Sequence, residues 1–169
     1  WPTINYLGAQ LIATQIHFAD AYMPSHRPAL QFMTRYSRFL WAPDVEVVPE
    51  EGKAVQVLAP EDVWWRRLVY RRKTAEGYDL IVHLVRIPPT KQWDIEWANE
   101  PAPLEGVKVT VNTGASRLLE VQTMRPYYFE EDQHPVQTVL KATVQNGKAQ
   151  VQVPPFRYHT MAVFRVKTK

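Results

Sequence analysis

The sequence predicts a mainly β protein, an antiparallel β-sandwich of Greek-key type preceded by two α-helices. Three observations carry this prediction. Seven or eight short runs rich in β-branched and aromatic residues, separated by turn signals, lie between residues 55 and 166. Asn146-Gly147 lies between two of these runs and is the strongest short-range signal for a hairpin. Before residue 43 the apolar residues instead recur at helical spacing.

Composition limits the classes of protein that this chain can belong to. Its 169 residues can bury a core and fit one domain, or one domain with an appended helical piece. The net charge of +3 does not indicate nucleic-acid binding. With no cysteine, disulfides, thiol catalysis and cysteine zinc sites are excluded. No run approaches the roughly 20 apolar residues of a membrane span, so we expect no membrane partner. The sequence has no glycine-rich phosphate loop, and we predict no cofactor.

Two helices are predicted at the start of the chain. The first runs from Ile4 to Ala19, with an oxygen of Thr3 as its N-cap. The second runs from Pro28 to Trp41 and is stopped by Pro43. Two such helices cannot enclose a core, so they must pack on the strands or on a partner. We therefore predict a helical segment over residues 1–43 and a sandwich domain over residues 44–169. Because the chain begins at Trp1 without Met, we expect a processed product or a fragment.

The central pair of the predicted sandwich is a hairpin over residues 63–88. A four-residue loop from Thr74 to Gly77 places Arg72 opposite Asp79, and Tyr70 opposite Ile81. The same register places Leu68 opposite His83. Opposite residues of an antiparallel pair share a face, so an Arg–Asp pair beside apolar pairs is a coherent arrangement.

The other predicted strands flank this hairpin. A turn over residues 50–53 precedes them, and a loop from Pro88 to Gly106 follows the hairpin, where prolines disfavour a strand. The predicted strands are Val55 to Ala59, Val107 to Asn112, Arg117 to Thr123, Val136 to Gln145, Lys148 to Val153 and Tyr158 to Val166.

The segment Trp93-Asp94-Ile95-Glu96-Trp97 in that loop offers two carboxylates between two indoles. Paired carboxylates beside aromatic faces are used in glycoside hydrolysis. Catalytic carboxylates usually come from separate elements, however, so an exposed loop with solvated acids is the better interpretation. We therefore predict no catalytic residue here, and a sugar-stacking role for Trp93 or Trp97 is favoured over catalysis.

Two other patterns, a basic and aromatic stretch and the five histidines, are better explained by a structural role than by a binding site. The stretch from Trp64 to Lys73 mixes aromatic and basic residues, which could describe a single-strand nucleic-acid platform. In a strand they divide between two faces, so a structural hairpin with cationic side chains covering apolar surface is favoured. The five histidines show no close pair with an acidic partner at ligand spacing, and we predict no metal site.

The order of these elements resembles a known family. The segment IHFADAYMPSHRPALQFMTRYSRFLWAP, residues 16–43, resembles the end of the catalytic barrel in glycoside hydrolase family 66, the dextranase and cycloisomaltooligosaccharide glucanotransferase family. The run YDLIVHLVRIPPTKQWDIEWANEPAPLEGVKVTV, residues 78–111, is similar to its C-terminal sandwich. The closing VQVPPFRYHTMAVFRV, residues 151–166, resembles the final strand of many glycosidase sandwiches.

The resemblance implies a role for the chain. The two helices would be the end of a (β/α)8 barrel, and the sandwich a non-catalytic part that stabilises this barrel, in the same protein or a separate chain. Asp20 is the residue that could stand for a substrate-side acid, although the family's glycine pair before it is replaced by other residues. Polysaccharide would be the substrate, and the protein would be secreted. A stand-alone carbohydrate-binding or adhesion module is the alternative.

Overall fold

The computed structural model describes residues 27–86, 102–128, 131 and 134–168. The first predicted helix, Ile4 to Ala19, lies outside these residues. The second is present but is divided into α1 (Arg27–Arg35) and α2 (Ser37–Leu40). Tyr36 separates the two because its φ of −109° and ψ of 21° depart from helical values. A one-turn helix, α3 (Glu51–Ala54), replaces the predicted turn and follows Glu50 in the left-handed conformation, with φ 55°.

Strands make up about half of the described chain and form two antiparallel sheets. The strands are β1 (Val45–Val47), β2 (Val55–Leu58), β3 (Val63–Trp64), β4 (Val69–Thr74), β5 (Gly77–Arg86), β6 (Lys108–Asn112), β7 (Arg117–Arg125), β8 (Val136–Leu140), β9 (Thr143–Gln145), β10 (Lys148–Gln152) and β11 (His159–Lys167). The large sheet has the order β1-β4-β5-β11-β7-β8, with β3 also paired to β5. The small sheet has the order β2-β6-β10-β9. The predicted mainly β, antiparallel sandwich is confirmed.

The central hairpin has the predicted register. Arg72 pairs with Asp79 and Tyr70 with Ile81, while the His83 amide donates to the Leu68 carbonyl at 3.0 Å. The ladder continues to a Thr74–Gly77 pair, so the loop is two residues rather than the predicted four. Gly77 is required here because a Cβ at this position would lie 2.2 Å from the Val166 carbonyl oxygen.

The second predicted hairpin also forms, but its first strand is shorter than predicted. Asn146 and Gly147 have φ values of 50° and 71°, the two positive angles of a type I′ turn. The strand predicted over Val136 to Gln145 is divided at Lys141-Ala142: β8 belongs to the large sheet and β9 to the small one. The chain thus changes sheets along this side of the sandwich.

The main core lies between the two sheets. From the large sheet it takes alternate residues of the central strands, including Leu80, Val82, Ala162 and Phe164, and from the small sheet mainly valines. The valines are Val55, Val109, Val111 and Val151, each 2% exposed or less. β-Branched side chains suit this position because they pack well on a pleated surface.

A second core covers the outer face of the large sheet. The helix cap, defined as α1 and α2, places Phe32, Tyr36, Phe39 and Leu40 against this face. The sheet supplies an apolar patch of Tyr70, Ile81, Met124, Met161 and Val163. Both faces of β5 are therefore covered, and its residues are buried without interruption from Asp79 to Leu84. Within the described residues, no helix has the length and apolar character needed to cross a membrane.

Candidate functional site

The residues predicted to contact carbohydrate lie outside the described part of the chain. These are Trp93, Trp97 and Asp20, and the flanking carboxylates of Asp94 and Glu96 fall in the same gap. Their predicted roles stay predictions. The described residues instead bring together three features: a charge ladder and a histidine pair on the outer face of the large sheet, and a cleft between the two sheets.

The basic and aromatic residues of the central hairpin divide between two faces of the large sheet. Tyr70 is buried beneath the helix cap, and Arg72 forms an ion pair with Asp79. On the other face, the Arg71 guanidinium lies over the Tyr78 ring, 4.7 Å from its centroid. Trp64 is 49% exposed at the end of the sheet. Arg71 and Arg72 of the hairpin thus make their contacts with other residues of the fold.

A charge ladder crosses four strands of the outer face. Asp79 is fully buried and accepts hydrogen bonds from Arg72 at 2.7 Å and from Arg165 at 3.0 Å. Arg165 also lies 3.7 Å from Glu120 on β7. The hydrogen bond to Asp79 raises the pKa of Arg165. Paired charges can remain buried because each supplies the counter-charge and hydrogen bonds that water would otherwise provide.

The histidine pair lies further along the same face, beneath α1. His83 on β5 and His159 on β11 are joined by a hydrogen bond of 3.1 Å between His83 Nδ1 and His159 Nε2. Phe32 of the helix cap meets the edge of His159, with ring centroids 5.2 Å apart. Tyr70 meets His83 in the same way, at 5.7 Å. The pair therefore joins the helix cap to the two central strands.

Both imidazoles are held neutral. Burial lowers the pKa of His83 well below its usual value, and the neighbouring His159 lowers it further. Burial also lowers the pKa of His159, to about 4. One ring then donates and the other accepts, as neutral imidazoles can. No third histidine or carboxylate joins them as a metal-ligand set within the described ranges.

A cleft of about 380 Å³ opens between the two sheets on the side opposite the helix cap. We call it the threonine cleft, because Thr123, Thr138 and Thr160 from three adjacent strands line its floor. Thr123 lies directly opposite Thr138 and is itself 4% exposed. The wall on the small-sheet side contains three prolines, Pro103, Pro154 and Pro155.

The other wall of the cleft consists of Arg125, Glu131 and Arg157 around Tyr128. Arg125 holds Glu131 through two hydrogen bonds, of 2.5 and 2.7 Å. The guanidinium groups of Arg125 and Arg157 lie over the Tyr128 ring, 4.1 and 4.6 Å from its centroid. The Arg157 amide donates to the Tyr128 hydroxyl at 2.7 Å. Hydrogen bonds and cation–π contacts therefore connect the four side chains of this wall to one another.

These contacts shift the pKa values of Glu131, Arg125 and Tyr128. The hydrogen bond from Arg125 lowers the pKa of Glu131. Burial lowers the pKa of Arg125, but the hydrogen bond to Glu131 and the electrostatic attraction of Tyr128 and Glu131 together outweigh this effect, so the pKa is raised. Burial raises the pKa of Tyr128. At neutral pH the wall thus holds the Arg125–Glu131 ion pair, the neutral Tyr128 phenol and the Arg157 guanidinium.

Sequence reasoning missed both the histidine pair and the cleft. His83 and His159 are 76 positions apart and meet only because β5 pairs with β11. His83 lies between Val82 and Leu84 in a run of buried residues, which is a weak signal, whereas His159 is the first residue of its strand and lies between Tyr158 and Thr160. The cleft residues come from several separate segments, so no local motif marks them.

Comparison with known proteins shows a likeness of fold. No protein-family model matches the chain, and no curated protein matches it by sequence. A cycloisomaltooligosaccharide glucanotransferase from Paenibacillus sp., solved with cycloisomaltoheptaose, is similar to 81% of this chain with a TM-score of 0.55 and 20% identity. An α-L-fucosidase isoenzyme 2 from Paenibacillus thiaminolyticus is similar to 71% of it, with a TM-score of 0.45 and 16% identity.

The chain spans about a fifth of the length of the glucanotransferase chain it matches, and 16% of the fucosidase chain. The first likeness shows that a sandwich of this kind occurs within a glycoside-hydrolase-like chain. At 20% identity it concerns the fold alone.

Proposed function

We propose that this chain is the non-catalytic, C-terminal sandwich part of a glycoside-hydrolase-like protein that acts on polysaccharide. Its role is to stabilise an upstream catalytic barrel, within the same protein or as a separate chain. The fold likeness supports this proposal, since it covers 81% of the present chain but only 20% of the longer chain. In this proposal the helical residues 1–43 complete the barrel, and residues 44–169 support it.

The observation that carries the proposal is the helix cap. Its buried side joins the large sheet through Phe32 and Phe39, which are 3% and 1% exposed. Leu30 on α1 and Trp41 after α2 keep 43% and 42% of their surface exposed. Apolar residues on the exposed side of a helical layer are suited to contact another domain. The cap would thus be the layer between barrel and sandwich.

The test uses the full-length protein that contains this chain. Replacing Leu30 and Trp41 together by serine should lower the melting temperature of the barrel, because the barrel loses an apolar contact. The matched control is Val144→Ser, which changes an exposed residue of β9 in the small sheet. A barrel that melts at the same temperature with either change, or a coding sequence with no barrel upstream of Trp1, would refute the proposal.

Polysaccharide contact is a second part of the proposal. Trp93 and Trp97 would stack on sugar rings, because an indole face buries the apolar side of a sugar. Asp20 would face the substrate from the helical segment. We expect Trp93→Ala and Trp97→Ala to weaken retention of the full-length protein on a panel of glucans. Trp64→Ala, at an exposed position on β3, is the control.

The same experiment distinguishes the alternative, a stand-alone carbohydrate-binding or adhesion module. If the isolated chain binds a glucan as tightly as the full-length protein and loses binding with Trp93→Ala, the module is favoured. Absence of glucan binding by both proteins would exclude a polysaccharide contact through this loop.

A further inference from the structure

We propose that the histidine pair is an acid-sensitive switch, and that its protonation releases α1 of the helix cap from the large sheet. The pair lies where the cap meets the two central strands, β5 and β11. This inference goes beyond the proposed function, because it concerns how the cap is held on the sandwich. It can be tested whether or not a barrel adjoins the other side of the cap.

The two rings are stacked and hydrogen-bonded beneath α1. Their centroids lie 5.4 Å apart, and the ring planes differ by 22°. His83 and His159 each stand two residues from a member of the patch that the cap covers, Ile81 and Met161, and therefore share its face of the sheet. His83 is 1% exposed, and Phe32 meets the His159 ring edge-on. Release of α1 would thus bring water to both imidazoles.

The surroundings of the pair offer no counter-charge to a proton. On α1 the residue that meets the pair is Phe32, and on β4 it is Tyr70, the titratable side chain that faces His83. By register, the nearest residues of β7 and β3 on this face are Met124 and Trp64. Among the residues that the structure describes, no carboxylate shifts the pKa of either histidine.

The charged groups on the neighbouring elements are distant or already paired. On the same face, Asp79 and Arg165 lie four and six residues further along β5 and β11, or about 13 Å and more at roughly 3.4 Å per residue. They bind each other. The charged residues of α1, Arg27 and Arg35, are exposed cations, which disfavour a further positive charge nearby. At this end of the sheet, Arg86 pairs with Asp62, Arg125 pairs with Glu131, and Arg157 lies over the Tyr128 ring.

Protonation acts on the pair in two steps. Two neutral imidazoles can share one hydrogen bond, because one ring donates and the other accepts. A first proton leaves this bond in place but puts a positive charge beneath Phe32. A second proton turns both rings into donors, so the 3.1 Å contact between His83 Nδ1 and His159 Nε2 would join two N–H groups. Since water hydrates both charges once α1 has moved away, each proton favours release.

The pKa values give the direction and the pH range of this effect. Burial lowers the pKa of His159 to about 4, from 6.5, and lowers the pKa of His83 as well. The released state therefore binds more protons between these values, so release increases as pH falls from 6.5 towards 4. For His159 alone, the equilibrium constant for release should rise roughly fortyfold between pH 6.5 and pH 4.5.

Amide hydrogen exchange of the intact chain at pH 6.5, 5.5 and 4.5 tests the switch. Protection factors are compared, because they remove the intrinsic pH dependence of exchange. We expect protection to fall roughly fortyfold or more within α1 and at the Tyr36 amide, which donates to the Phe32 carbonyl at 3.0 Å. Amides of the β6–β10 ladder should stay protected at all three pH values. Constant protection of α1, or its loss only together with that ladder, would overturn the proposal.

Three variants assign the effect to the pair. His159→Phe keeps a ring beneath Phe32 but binds no proton, so the change in α1 protection should shrink at least tenfold. Phe32→Ala uncovers the pair, so α1 protection should already be low at pH 6.5 and vary little with pH. His134→Gln, at an exposed position, is the matched control and should behave like the unchanged chain. An unchanged pH dependence in either His159→Phe or Phe32→Ala would refute the switch, whatever the outcome of the barrel test.

Discussion

The neutral histidine pair makes the stability of the chain depend on pH. The pKa of His159 is about 4 in the folded chain, against 6.5 for an unperturbed histidine. Between these values the unfolded chain binds more protons, so the free energy of unfolding falls as pH falls from 6.5 towards 4. Each unit of pKa is worth about 1.4 kcal/mol, so His159 accounts for roughly 3 kcal/mol over this window. Burial lowers the pKa of His83 as well, which adds in the same direction.

Urea unfolding at pH 7, 6, 5 and 4.5 tests this dependence. His159→Phe should give a shallower decline, because the phenylalanine ring keeps the contact with Phe32 but cannot bind a proton. His134→Gln is the matched control, since it removes an exposed histidine from the segment before β8. A decline that is equally steep in His159→Phe would show that the pair does not carry the pH dependence.

Asp79 is the residue on which the charge ladder depends. Asp79→Asn should lower the free energy of unfolding by roughly 2 kcal/mol, because Arg72 and Arg165 lose their shared counter-charge. This is below the range of about 3–5 kcal/mol for a fully buried pair, since the Arg165 side chain is 35% exposed and reaches water. Glu76→Gln, which breaks an exposed pair with Lys167, is the control and should have little effect. Equal effects of the two changes on chemical denaturation would contradict this account.

Within the strands, Gly77 determines whether β5 can approach β11. Gly77→Ala should cost about 1–3 kcal/mol, because its Cβ would lie 2.2 Å from the Val166 carbonyl oxygen and 2.8 Å from the Thr168 amide. Both contacts are to backbone, so relief requires the strands to separate. Gly52→Ala in α3 is the control, with its nearest atom 3.7 Å away on the Arg66 side chain. A thermal melt in which the two variants behave alike would contradict a role for close strand approach.

Sequence patterns predicted those elements whose determinants are local. The β4–β5 register follows from alternation and a short turn, and Asn146-Gly147 specifies its own turn type. The change of sheet at Lys141-Ala142 was missed, because both strands continue the same β-rich run. The helix break at Tyr36 was missed because the apolar spacing continues through it. The histidine pair depends on long-range pairing of β5 with β11, which no local pattern encodes.

At the scale of the whole molecule, the helix cap shields the outer face of the large sheet. A chain beginning at Asp44 should expose the buried patch of Tyr70, Ile81, Met161 and Val163. We expect it to bind a hydrophobic dye such as ANS and to self-associate, because contiguous apolar patches of this kind drive association. The intact chain is the comparison in sedimentation and dye-binding measurements. A shortened chain that stays monomeric and dye-silent would show that the cap is dispensable for the sandwich.

The distribution of strand lengths bears on aggregation. The strands at the outer sides of the two sheets are β1, β8, β2 and β9, and they have three, five, four and three residues in the described chain. The long strands β5, β7 and β11, of ten, nine and nine residues, lie between neighbours on both sides. Short outer strands offer few free amides and carbonyls to a second chain. Fibril growth by strand addition is therefore disfavoured at the described edges of the two sheets. We expect a partner protein to bind at a sheet face or a loop instead.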